Sequence, residues 1–285
     1  MTTMSYPTAV GKLSYLNAVG NEIYKAMRVA WSERVQLIIE VPMFIVFTLL
    51  LGPMLGQGHR IISTGTLNWS LSSHTSSILF VWFAPYLLLQ LQVTKMFWRL
   101  LGEIQSGTLE QVYLSPLPSW LVTVAGRGIA VLTESIIVAG LLFAGVRALV
   151  PLHFHLTPSV LLPLALIILV SIGVSLIIAG LTLVWRRIPM IVEGILILIF
   201  LGSVSAIPVV TMPGWWDALG RLFPVNVVLT NLYGVLFQGR SVTTPWGPGG
   251  LVWMLIVTAV YLAAGILAFR AGEKIAKRRG SLSRY

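Results

Sequence analysis

The chain has 285 residues, of which 56% are hydrophobic and only 10% charged, with a net charge of +10 and a mean hydropathy of +0.89. Soluble domains carry roughly 25% charged residues, so this chain cannot cover a water-exposed surface, and an ordinary soluble enzyme or binding domain is excluded. The absence of cysteine rules out disulfides and thiolate metal sites.

Residues 1–15 are polar and irregular, and no apolar core followed by small residues marks a cleavable signal peptide there. Over 16–33, Leu16, Val19, Ile23, Met27, Ala30 and Trp31 share one helical face, opposite Asn21, Lys25, Arg28 and Ser32. That pattern predicts a helix lying in a membrane interface, with Tyr24 and Trp31 at headgroup level. Six apolar runs follow, over 35–55, 78–98, 121–146, 160–185, 189–210 and 251–269. Each is about as long as the roughly 20 residues that a helix needs to span hydrocarbon. Pro189 suits a first helical turn, whereas Pro42, Pro53, Pro85 and Pro163 predict kinks. The expected fold is all-α and polytopic, a single transmembrane domain over 1–285.

Between the fifth and sixth runs, 203–249 is too broken by Pro and Gly for a span, yet rich in aromatic residues. Two short helices near 214–222 and 225–237, begun by Pro213 and Pro224, would dip into the outer leaflet as a re-entrant hairpin. They would bury Trp215, Trp216, Leu219, Phe223, Val228 and Leu232. A plain extracellular loop is the alternative.

Charge placement sets the orientation. With both termini on one side, only Arg60, Arg147, Arg221 and Arg240 of the 19 basic residues fall on the other. The positive-inside rule then makes both termini cytoplasmic in a multi-pass protein of the inner or plasma membrane. The basic tail, Lys274 to Arg279, reads as an anchor on anionic lipid and not as a nucleic-acid patch.

Little in the sequence points to catalysis. No G-x-x-x-x-G-K-[ST] loop, no H-E-x-x-H and no paired-carboxylate site is present, and His153 and His155 lack a third ligand. No catalytic residue, metal or cofactor is therefore expected in this chain. Ionisable residues within spans are costly and become functional candidates. Arg127 and Glu134 stand two helical turns apart on one face, too far for an ideal local pair, so each is expected to pair with another helix or face a wet cavity. Glu40 and Glu193 fall near the cytoplasmic boundary, where Arg34, Arg186 or Arg187 are available to neutralise them.

The connection after the second run is the most informative stretch. Gly107 breaks it, Thr108 and Gln111 have capping-box spacing, and Pro116 and Pro118 stop the short helix that would begin there. The residues alone leave two readings open: a rigid contact for a partner, or an ordinary turn between antiparallel spans.

Glu103-Ile-Gln-Ser-Gly107-Thr108-Leu109-Glu110-Gln-Val112-Tyr113-Leu-Ser-Pro116 resembles the E-x-x-x-G-T-L-E-x-L-x-x-x-P signature of ABC-2 type transporter permeases, with Val112 where the family commonly has leucine. Arg127 stands where such permeases often carry a basic residue. Pro208, Met212 to Trp216, and Phe223-Pro224 look like that family's outer hairpin, with Phe223 in place of Asn. The resemblance extends over nearly the whole chain. It implies a dimeric permease, with a second copy or homologue, on which two separate ABC ATPase subunits dock, carrying the ATP and Mg. A coupling helix over 103–113 would include Glu103, Gly107, Thr108, Leu109, Glu110, Val112 and Tyr113. Cargo would pass along the dimer interface, where helical faces suggest Phe83, Tyr86, Gln90 and Val93 in the second span and Leu198, Gly202 and Ser205 in the fifth. A mostly apolar lining implies a hydrophobic or amphipathic cargo such as a drug, antibiotic or lipid-like molecule. Export of a glycan or lipid-linked polymer is the nearest alternative, and an ion-driven secondary transporter the alternative of another class.

Overall fold

A computed structural model describes residues 12–32, 35, 38–47, 49–50, 73–108, 128–149, 152–153, 157–185, 188–207, 213–247 and 249–279. Among them the regular structure is entirely helical. In chain order the helices are α1 (Lys12–Ser32), α2 (Ile38–Phe47), α3 (Ser73–Gln105), α4 (Gly128–Leu149), α5 (Leu161–Val184), α6 (Pro189–Ser203), α7 (Gly214–Gly220), α8 (Pro224–Gln238) and α9 (Leu251–Arg279). Single 3-10 turns, Pro158–Val160 and Val204–Ala206, precede α5 and follow α6.

Four of these helices, α3, α4, α5 with its 3-10 turn, and α9, are long and apolar enough to cross a membrane. The expected first and fifth spans correspond to α2 and α6, which are apolar but shorter over the described residues. Of the prolines expected to kink, Pro85 lies inside α3, which continues through it, and Pro163 falls in the first turn of α5. In a first turn the missing N–H has no intrahelical partner to lose.

Helix directions follow from which ends touch. The α3 Trp82 indole donates to the Ser203 carbonyl of α6 at 2.7 Å, and Tyr86 one turn on donates to Leu196 at 3.4 Å, so α3 and α6 are antiparallel. Phe80 stacks on Phe143 while Arg99 reaches Glu134, so α3 and α4 are antiparallel too. By contrast α5 and α9 run parallel. Gly173 and Gly180 of α5 lie against Gly265 and Gly272 of α9, a seven-residue step on both helices. A Cβ on Gly173 would come within 2.7 Å of the Tyr261 carbonyl, and one on Gly180 within 2.5 Å of that of Ala268. Only glycine lets two backbones approach this closely, as small residues commonly do between membrane helices.

Helices α7 and α8 lie at the end of the bundle where α3 begins. Val225–Gln238 turns by 96° from α7. Leu229 and Tyr233 of α8 share a small cavity with Ile78, Val81 and Trp82 of α3. Asn231 of α8, fully buried, donates to the Gly249 carbonyl at 2.6 Å just before α9 starts. The α8 side chains Val228 and Leu232 are buried in the bundle as the core cluster requires, whereas the seven-residue α7 leaves Trp215 and Leu219 exposed. A second, smaller core at the opposite end joins Met96, Leu100 and Ile104 of α3 to Leu176, Leu183 and Phe269.

Candidate functional site

In α3 the residues Gln92, Lys95, Arg99 and Glu103 are spaced by three, four and four, so they form one stripe down a single face. The stripe meets α4, α2 and α1 in turn. Glu134 of α4 is its centre. One carboxylate oxygen accepts from the Lys95 ammonium, and the other from the Arg99 guanidinium at 2.5 Å. Lys95 also lies 3.8 Å from Glu40 of α2. Above them the Gln92 amide donates to the Gly128 carbonyl at 3.3 Å, and its buried oxygen has no hydrogen-bond partner among the described residues. Below them Glu103 pairs with Lys25 of α1 at 3.7 Å.

Exposure grades along this seam. The Glu134 side chain is 3% exposed, that of Arg99 17% and that of Lys25 57%. Glu134, Lys95 and Arg99 therefore form a buried ionic cluster, and Lys25–Glu103 a wetter pair at its rim. Three carboxylates meet three cations, so the seam as a whole carries no net charge. Its members hold one another and leave no uncompensated acid to act as a base or nucleophile. Among the described residues no group of His, Asp and Glu is arranged to hold a metal ion. What the seam does physically is tie four helices, α1 to α4, along one face of α3.

The end of α3 is set by Gly107, whose φ of 71° lies in the left-handed region that side chains with a Cβ resist. The Gly107 N–H donates to Ile104 at 3.3 Å and the Ser106 N–H to Gly102 at 2.9 Å, closing the helix. Ser106 and Thr108 share a hydroxyl hydrogen bond of 2.9 Å, and the Ser106 hydroxyl donates to the Glu103 carbonyl at 3.3 Å. Of the residues expected in the 103–113 segment, Glu103, Gly107 and Thr108 are thus at a tightly finished helix terminus. Leu109, Glu110, Val112 and Tyr113, like Arg127, lie outside the described residues.

The proposed pathway residues fall into two sets. Phe83, Tyr86 and Val93 are buried inside the chain, and Gln90 is half-buried. Tyr86 stacks edge-on against Phe200 with ring centres 5.0 Å apart, and Phe83 against Phe47 at 5.3 Å, so these rings pack α2, α3 and α6 together. Leu198 is exposed, while Gly202 is buried against the Phe223 ring, a Cβ there coming within 2.5 Å of it. Ser205 lies in the 3-10 turn after α6. Of the intramembrane acids, Glu134 pairs with another helix, and Glu40 lies 3.8 Å from Lys95, while Arg34, Arg186 and Arg187 lie outside the described residues. Glu193 is exposed on α6.

Sequence reasoning singled out Glu134 but treated Lys95 and Arg99 only as charges that orient the chain. The signal was present in their spacing from Gln92 and Glu103 on one face of an apolar helix.

Long apolar helices closed around a compensated ionic seam define a membrane-embedded α-helical protein. No protein-family model matches the chain, and no curated protein sequence matches it either.

Proposed function

We propose that this chain is the membrane-spanning subunit of an ATP-binding cassette exporter of the ABC-2 type. It would move a hydrophobic or amphipathic small molecule out of the cytoplasm or inner leaflet, powered by two separate ATPase subunits. The observation that carries the reading is the continuity of α3. The E-x-x-x-G-T-L-E stretch starts at Glu103, in the last turn of a 33-residue helix, and Gly107 ends that helix. The same helix carries the ionic seam and, further along, the Trp82 and Tyr86 bonds to α6. A push on the end of α3 at Glu103 would reach α1 through Lys25 and α4 through Glu134 along one continuous helix.

The helix directions support the six-span reading. Between α5 and α9, which are parallel, the chain must cross the membrane an odd number of times. With α6 as one crossing, α7 and α8 contribute none and form a re-entrant hairpin. Adding α2 as the first span gives six. The end of the bundle at Glu103 also carries Lys25, Lys95, Arg99 and the basic end of α9, while Arg147, Arg221 and Arg240 fall towards the other, which favours cytoplasmic termini. In this reading the permease is a dimer in the inner or plasma membrane, and ATP and Mg bind only to its partner.

The test is co-expression with a candidate ATPase, followed by measurement of association and ATP hydrolysis in lipid. Glu103→Ala and Glu110→Ala are expected to weaken association and to uncouple hydrolysis from transport. Wild-type association and turnover in both variants would refute the coupling assignment.

A further inference from the structure

Along α1 the residues Asn17, Asn21, Tyr24, Arg28 and Trp31 follow one another by four, three, four and three, so they form a single stripe, and all five are exposed. Tyr24 is 69% and Trp31 71% exposed. One flank of the stripe, at Ile23 and Met27, is half-buried, although their apolar pattern alone would give them to lipid, and α1 packs on α4. The other flank is Lys25, which reaches Glu103 of α3 at 3.7 Å. That contact sets the depth of α1. Glu103 lies five residues past the apolar run 78–98, about 8 Å along α3 at 1.5 Å per residue, and the exposed Trp98 closes that run. The headgroup layer on each side of a bilayer is about 5–8 Å thick, so α1 meets α3 at headgroup depth.

We infer that the exposed stripe of α1 docks on the anionic phospholipid headgroups of the leaflet at the Glu103 end, with Arg28 on lipid phosphate and the Tyr24 and Trp31 rings seated beside it. This docking goes beyond the export reading and needs only that the chain be embedded in a bilayer. Charge complementarity selects the occupant. The described charged side chains of α1, Lys25 and Arg28, are both exposed cations, and a planar guanidinium meets phosphate oxygens two at a time. Tyr and Trp rings, apolar in the body and polar at the tip, favour the same depth, which selects lipid over an acidic protein surface. A leaflet that holds the stripe also steadies the end of α3 through Lys25.

The chain contains no cysteine, so single labels can be placed in its full length. Asn21→Cys in the stripe and Val29→Cys outside it each receive a nitroxide, in nanodiscs of phosphatidylcholine with increasing phosphatidylglycerol. Collisions with oxygen and with a neutral, water-soluble nickel chelate read the depth of the label. As phosphatidylglycerol rises, the label at position 21 is expected to lose nickel contact and gain oxygen contact, while that at 29 keeps its nickel contact. Adding Arg28→Gln to Asn21→Cys should lower the docked-to-undocked ratio about fivefold, the worth of one cation at an anionic surface, and Arg28→Lys should lose less. Nickel contact at position 21 that ignores phosphatidylglycerol, equal protection at 21 and 29, or an Arg28→Gln chain as protected as one with Arg28 would each overturn the inference. Thermal unfolding of each variant guards against a folding defect, and the lipid titration with Arg28 intact decides the matter even where a variant at position 28 fails to fold. Because no ATPase is present, the coupling test stands or falls separately.

Discussion

Replacing Glu134 with Gln should be the most damaging single change in the polar interior. The side chain is 3% exposed and receives both Lys95 and Arg99, the latter at 2.5 Å. Glutamine keeps the volume but removes the charge, so two buried cations face Glu40 as the remaining carboxylate of the cluster, 3.8 Å from Lys95. Removing one partner of a buried ion pair costs about 3–5 kcal/mol, because the orphaned charge stays desolvated. Replacing the whole cluster with apolar side chains of similar volume is often neutral or stabilising. The triple variant Glu134→Leu, Lys95→Met, Arg99→Leu is therefore expected to recover most of what Glu134→Gln loses. Reversible unfolding in bicelles, titrated with denaturant, reads both quantities. A loss below about 1 kcal/mol for Glu134→Gln would mean that the cluster is wet, and that the rigid tie between α3 and α4 is wrong. A triple variant as unstable as the single one would instead locate the stabilisation in the charges themselves.

Two further outcomes bear on the packing. Gly180→Leu should destabilise the bundle by about 1–3 kcal/mol through overpacking, since even a Cβ would come within 2.5 Å of the Ala268 carbonyl; Gly140→Ala, where nothing lies within 4 Å, should stay within about 0.5 kcal/mol of wild type in the same unfolding assay. Asn231→Ala should cost about 1–3 kcal/mol by stranding the Gly249 carbonyl, and amide exchange over 239–247 should quicken while that of α5 does not.

The long helices were legible because the bilayer imposes one strong rule: a spanning segment must be apolar and must satisfy its own backbone bonds. Hence α3, α4, α5 and α9 emerge from the apolar runs alone, and Pro224 marks the start of α8 to the residue. The extents were less legible. The last helix continues from the apolar run through Arg270 to Arg279, because basic side chains at a helix C-terminus favour the helix dipole and hydropathy does not register that. The parallel contact of α5 and α9 was illegible in practice. Each glycine pair reads as ordinary helical glycine until the partner helix is known, since the selection for small residues comes from a neighbour some 90 residues away in the chain.

The seam teaches the more general point. An acid inside a span draws attention because it is expensive there, while a lysine and an arginine near a span's end are explained at once by topology, and the explanation hides their second use. On α3 the two uses coincide: Lys95 and Arg99 lie far enough from the helix end to reach Glu134, yet near enough to count as cytoplasmic charge. Spacing distinguishes the cases. Charges that only orient a chain need no common face, whereas charges that pair across helices must share one, as Gln92, Lys95, Arg99 and Glu103 do.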